Sequence, residues 1–250
     1  QVFHIAPKLK ILARFGVGVD NIDLEAAKRH GIQVVNAAGM NANAVAELAV
    51  AMILNCLRGI PELNRKLTDG QWSRAVGRDL PGKTVGLLGF GDIGGRVAKK
   101  LSGFEVRLLA YDPYPNREKA AALGVTLTDL DTVLTQSDIL SIHMPSIPAT
   151  RHVMNRETFA KMKPDSYFIN TARGALVDTQ ALVDAVAGGH LAGAAVDVYE
   201  QEPLPMGAPI LHTPGIQCIP HAGAETRETY SNISMMTAQA VIDSLSGKEP

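Results

Sequence analysis

The stretch Thr84–Gly94, TVGLLGFGDIG, constrains the fold more than any other part of this chain. Thr84 to Leu88 is a short apolar run of strand length, and Gly89, Gly91 and Gly94 follow in G-x-G-x-x-G spacing. Ile93, Val97 and Leu101 then recur on one face of a helix. Each glycine has a physical reason. Gly89 permits the tight strand-to-helix turn, Gly91 leaves room for a pyrophosphate, and Gly94 lets the helix lie close to the sheet. The helix N-terminus offers backbone N–H groups and a positive dipole end to phosphates. Val106 to Tyr111 reads as the next strand and ends at Asp112. A carboxylate there accepts hydrogen bonds from ribose hydroxyls and repels a 2′-phosphate, which favours NAD over NADP. Asp112 alone could be a turn residue before Pro113. In register with the strand, glycines and helix, it points to dinucleotide binding. Arg117 is the one nearby cation that could accommodate NADP, and it does not outweigh Asp112.

The 250 residues are 46% hydrophobic and 20% charged, with a formal net charge of −1. That suffices for one large core or two smaller ones. Near-neutral charge gives no reason to expect nucleic acid or an anionic membrane as partner. The most apolar stretch, Ala44 to Leu57, is broken by Glu47 and Asn55 and is too short for a span. Cys56 and Cys218 match no metal or redox spacing, so no metal is expected, and they read as small hydrophobes in a reducing, cytoplasmic compartment. Asn232–Ser234 matches a glycosylation sequon but has no leader pattern to give it meaning.

Lys10 to Phe15 reads as a strand leading into the turn Phe15-Gly-Val-Gly-Val-Asp20, then a helix over Leu24–Arg29 capped by Asp23, and a strand over Gln33–Asn36. This βαβ fragment is too small to cover both faces of a parallel sheet. Either more strands lie before Gln1 or the fragment borrows them, and the first is expected; the start at Gln1 rather than Met also suggests that something upstream is absent. Asn43 to Arg58 carries a wide apolar stripe and is long enough to bridge two lobes. A helix from Pro61 to near Gly70 follows. After Asp112, helices and strands alternate as in a doubly wound sheet. Strands are expected over Asp138–His143, Tyr167–Asn170, Ala194–Val198 (containing Asp197) and Ile216–Ile219, with a closing helix over Thr226–Leu245. The connection Tyr199–Gly215 has no helical period and reads as a functional or mobile loop.

In open α/β sheets, ligands bind beyond the carboxyl ends of the strands. The glycine turn, Asp112, His143, Arg173, Asp197 and His221 all fall at or just after strand ends. Singly, each has an ordinary structural explanation; their repeated choice of one sheet edge argues for a site. Glu200 and Glu202 sit in the long connection, and a carboxylate near His221 would orient the imidazole and stabilise its cation. Such a histidine can give a proton to a carbonyl oxygen or take one from an alcohol. Arg173 supplies a planar fork for a carboxylate. With a nicotinamide, these groups describe hydride transfer at a 2-hydroxy or 2-keto acid.

The residues resemble the D-isomer-specific 2-hydroxyacid dehydrogenases, most closely their D-3-phosphoglycerate-dehydrogenase-like branch. The matching segments are FGVGVDNID (15–23), NAVAE (43–47), the glycine motif, NTARG (170–174), AVDVYEQEP (195–203) and PHAG (220–223). The resemblance implies an α/β Rossmann domain over 43–221 and a smaller flavodoxin-like substrate domain, N-terminally incomplete, over 1–42 and 222–250. It implies Arg173, Glu202 and His221 as the catalytic trio, with Glu202 chosen over Glu200 because it precedes the motif proline. It also implies cofactor contacts at Gly89, Gly91, Asp92, Ile93, Gly94, Asp112, Met144, Thr171, Ala172, Arg173, Asp197, His221 and Gly223. Substrate contacts would come from Arg14, Val17, Gly18 and Arg173. Dimerisation, through the region after the 43–58 helix, is likewise implied by resemblance alone. Two alternatives stay open: an NADPH-preferring glyoxylate or hydroxypyruvate reductase, and a non-catalytic NAD(H)-sensing protein like the corepressors of this fold.

Overall fold

The computed structural model describes residues 2–19 and 21–247; Gln1 and Asp20, both named above, and residues 248–250 lie outside the described residues. In chain order the first elements are α1 (Val2–Ile5), β1 (Ile11–Arg14), α2 (Leu24–Arg29), β2 (Gln33–Asn36), α3 (Ala42–Arg58) and α4 (Ile60–Thr68). Next come β3 (Thr84–Leu88), α5 (Asp92–Leu101), β4 (Arg107–Tyr111), α6 (Arg117–Ala122), β5 (Val125–Leu127), α7 (Leu130–Gln136) and β6 (Ile139–Ile142). The last are α8 (Arg156–Lys161), β7 (Tyr167–Asn170), α9 (Thr179–Ala187), β8 (Gly193–Val196), β9 (Ile216–Cys218) and α10 (Arg227–Leu245). They divide into two compact units, Gln1–Ala44 with Ala224–Pro250, and Val45–Gly223.

The first unit holds a two-stranded parallel sheet, β1 against β2, with α10 packed on it. Asp23 caps α2 by accepting the Ala26 N–H at 2.8 Å, satisfying one of the orphan donors of the first turn. The Ser244 hydroxyl of α10 donates to the Gln33 side chain at 2.8 Å, and Phe15 stacks obliquely on Tyr230.

The second unit is a seven-stranded parallel sheet in the order β5-β4-β3-β6-β7-β8-β9. Strand order reverses between β3 and β6, and in open α/β sheets ligands bind beyond the carboxyl ends at such a point. Side chains alternate between two cores. Leu88, Leu140, Ile142, Phe168, Ala194 and Val196 meet the face of α7, α8 and α9. Val85, Leu87, Ile139, Ile169 and Ala195 meet α3 and α5 through Ala49, Met52, Ile53, Val97 and Leu101. Burial on both sides is why these strands read as nearly unbroken apolar runs.

Three expectations need correction. Asp197 lies just past β8 rather than inside a strand, because its side chain turns to bind the chain after β9. Val125–Leu127 forms an additional edge strand on β4, too short to stand out by alternation. The Tyr199–Gly215 connection contains a 3₁₀ turn at Pro209–His212, with Ile210 buried in the core. Among the described residues no single helix is long and apolar enough to cross a membrane; α3 and α4 qualify only as a bent pair. The same residues hold no cluster of three or more His, Cys, Asp or Glu able to bind a metal ion.

Candidate active site

The turn between β3 and α5 is shaped by what a Cβ would strike. Gly89 has φ +94°, and a Cβ there would come within 2.8 Å of the His143 backbone. At Gly94 a Cβ would overlap the Gly89 carbonyl oxygen, so this glycine closes the turn on itself, more than it brings helix to sheet. Gly91 faces open space, with nothing within 4 Å. It is also the N-cap of α5 and supplies no side-chain cap, leaving the first-turn N–H groups for a ligand. Asp92 opens the helix and pairs with Arg96 at 2.9 Å; Ile93 packs on the α3/α5 core.

Asp112 follows β4 and is tied to this turn. Its Oδ2 accepts the Phe90 N–H at 2.7 Å and its Oδ1 the Tyr114 N–H at 2.8 Å. Each oxygen keeps a lone pair for another donor. The cation that touches the turn is Lys119, not Arg117. Its ammonium donates to the Gly91 carbonyl at 2.6 Å and lies 5.3 Å from the Phe90 ring centre. Its position one turn into α6 was the only signal available.

At the end of β6, His143 is partly buried, its Nδ1 is enclosed without a hydrogen-bond partner, and desolvation pushes its pKa down to about 4. Its Nε2 lies 3.0 Å from the Ser141 hydroxyl. Met144 and Ala172 pack into the core, whereas the Thr171 hydroxyl is buried without a hydrogen-bond partner. The loop after β7 is folded around Asn170, which the sequence reading left out of the site. Asn170 accepts the Ala172 N–H and donates to the Arg173 carbonyl, both at 3.0 Å. The Arg173 guanidinium donates to the Ala172 carbonyl at 2.7 Å. A Cβ on Gly174 would overlap the Tyr199 backbone, so the loops after β7 and β8 are in direct contact.

Beyond β8 and β9, Asp197 holds the backbone that follows His221, and Glu202 holds the His221 ring. Asp197 accepts the Ala222 N–H at 2.7 Å and the Gly223 N–H at 2.8 Å. Burial raises its pKa and outweighs those two backbone bonds. The grip fixes the backbone just after His221, which sits at φ 52°, a left-handed conformation uncommon outside glycine. The His221 Nδ1 is 2.7 Å from Glu202 Oε2, while Glu202 Oε1 accepts the Tyr199 N–H at 2.9 Å. Glu200 belongs to a different histidine: its Oε1 lies 2.6 Å from His152 Nε2.

Of the expected site residues, the glycines and Asp112 meet at one turn, Thr171 to Arg173 share one loop, and Asp197, Glu202, His221 and Gly223 form one network. Arg14, Val17 and Gly18 belong to the first unit. There the Val17 carbonyl accepts the Asn36 side-chain N–H at 2.6 Å. The Arg14 guanidinium lies against Gly16, donating to the Phe15 carbonyl at 2.5 Å.

Residues 50–223 match the family model described as D-isomer specific 2-hydroxyacid dehydrogenase, NAD binding domain. The chain is 41% identical over 249 residues to a D-3-phosphoglycerate dehydrogenase of Archaeoglobus fulgidus, covering 99% of this chain and 47% of that one. It therefore spans about half the length of the phosphoglycerate dehydrogenases that it matches. A glyoxylate reductase of Thermofilum pendens is also 41% identical, with 100% of this chain and 76% of the relative covered. The crystal structure of the TT0316 protein from Thermus thermophilus superposes with a TM-score of 0.94 at 38% identity, covering 100% of this chain and 80% of that chain.

Proposed function

The chain belongs to the D-isomer specific 2-hydroxyacid dehydrogenase family, and from that premise we propose that it catalyses hydride transfer between NAD(H) and a small D-2-hydroxy or 2-keto acid. The observation that carries this reading is the 2.7 Å pairing of His221 with Glu202 at the carboxyl edge of a dinucleotide-type sheet. The chain's residues fit the cofactor. The space at Gly91, the uncapped start of α5 and the Asp112 carboxylate suit a pyrophosphate and an adenosine ribose. The partnerless Thr171 hydroxyl is a further group available to the cofactor.

When bound, NADH supplies the hydride and NAD accepts it. In the reductive direction His221 donates the proton from Nε2 to the keto oxygen; in the oxidative direction it takes that proton back. Glu202 holds Nδ1, which fixes the ring orientation and leaves Nε2 for the substrate. Arg173 grips the substrate carboxylate with its planar fork. Arg14, Val17 and Gly18 are proposed as further contacts to the acid.

A screen of NADH oxidation on phosphohydroxypyruvate, glyoxylate, hydroxypyruvate and pyruvate tests the reading. Turnover of at least one is expected. Tight NADH binding without turnover across the panel would replace the enzyme with a nucleotide-sensing protein. Glyoxylate has specific support, since the Thermofilum pendens reductase matches as well as the phosphoglycerate dehydrogenases do. Repeating the screen with NADPH tests Asp112, which disfavours a 2′-phosphate.

A further inference from the structure

Two glutamates, two residues apart, each hold a different histidine. Glu202 holds His221. Glu200, for which the proposed chemistry has no use, is held on both oxygens: Oε1 lies 2.6 Å from His152 Nε2, and Oε2 accepts the Thr179 hydroxyl at 3.0 Å. The Arg151 guanidinium approaches Oε1 to 3.7 Å. Glu200 thus ties its turn to the segment before α8 and to the first residue of α9. His152 reaches it from a backbone at φ 49°, which costs strain in a residue other than glycine. The same turn supplies the Tyr199 N–H to Glu202 and packs against Gly174, the residue after Arg173.

We propose that Glu200 is a positioning residue, clamped by His152 and Thr179 so that the Tyr199–Glu202 turn holds Glu202 against His221. The proposal rests on the reading of Glu202 and His221 as the proton-handling pair. It assigns Glu200 no contact with the reacting atoms. Its consequence is that the two ends of a short turn are both fixed, one for structure and one for chemistry. A carboxylate displaced by an ångström loses much of its effect on catalysis.

The test uses the whole chain, NADH and the 2-keto acid that turns over fastest. Glu200→Ala is expected to lower kcat about tenfold or more while NADH affinity stays within about twofold. Glu200→Gln, which keeps an acceptor for Thr179 and a partner for His152, should recover most of that loss. His152→Gly removes the imidazole at a backbone conformation that glycine tolerates, so it folds and should show an intermediate loss. Hydrogen exchange at the Tyr199 amide should quicken in Glu200→Ala, with or without turnover. Wild-type kcat and wild-type Tyr199 exchange in Glu200→Ala would overturn the clamp. So would equal damage from Ala and Gln accompanied by lost NADH binding, which would make Glu200 a purely structural residue. If no keto acid turns over in the wild type, the dehydrogenase reading falls, and Tyr199 exchange alone decides the clamp.

Discussion

At the scale of single residues, chemistry and burial make separable predictions. His221→Asn keeps a side chain of similar reach but cannot exchange a proton. It should lower kcat by roughly 10²–10⁴-fold, the usual worth of a positioned acid–base group, with NADH affinity unchanged by fluorescence titration. Parallel loss of NADH binding would mean that the residue holds cofactor and not a proton. His143 makes a prediction about acid. Its folded pKa of about 4 lies below the ordinary 6.5, so as pH falls the unfolded chain takes the proton first. Stability is complete above about pH 6.5 and is lost as pH falls toward 4, by about 3 kcal/mol from this one group. His143→Gln should flatten that acid limb in denaturant titrations at pH 7 and 4.5; an equally steep limb would place the loss elsewhere.

Residue identities were legible in unequal measure. The glycine spacing carries its own physics, so its geometry could be argued before any fold was known. Spacing alone left Glu200 and Glu202 equivalent, because which carboxylate reaches which imidazole depends on a turn with no periodicity. Lys119 and Asn170 were missed for a related reason: each acts through bonds to main-chain carbonyls and N–H groups, which no side-chain pattern announces.

At the scale of elements, the β3–α5 turn separates two uses of glycine. Gly94→Ala puts a methyl into the Gly89 carbonyl, and should cost about 1–3 kcal/mol, as overpacking does. Gly91→Ala meets no protein atom, so its melting temperature should match the wild type while NADH affinity falls. Equal NADH affinity in Gly91→Ala would remove the pyrophosphate from this turn. Strand identity was legible wherever both faces are buried, as in β3, β6 and β8, since such runs stay nearly apolar. Boundaries were not, and β5 escaped because three residues cannot display an alternation.

At the scale of the molecule, the doubly wound sheet followed from the order of strands and helices, whereas the length of its edge did not. Residues 69–79, after α4, run exposed, with Trp72 at 85% and Val76 fully open, before Leu80 enters the core. Single exposed apolar side chains need no explanation, but two in one connection give a contact point that a substitution can test. We propose, on the family resemblance, that a homodimer forms through this segment. Sedimentation of the wild-type chain should give twice the monomer mass, and Trp72→Glu should shift it to the monomer. A wild type that sediments as a monomer rules the contact out.

The bond pair from Asp197 to the N–H groups of Ala222 and Gly223 reads peptide groups, not side chains. An anchor of that kind is indifferent to what the neighbouring residues carry, apart from Gly223, where a Cβ would press within 3.0 Å of the carboxylate. If the chain acts as proposed, the walls around its acid substrate can be rebuilt by substitution without shifting the imidazole. Relatives named for phosphoglycerate and for glyoxylate, equally distant from this chain, are what such a division of labour would leave behind.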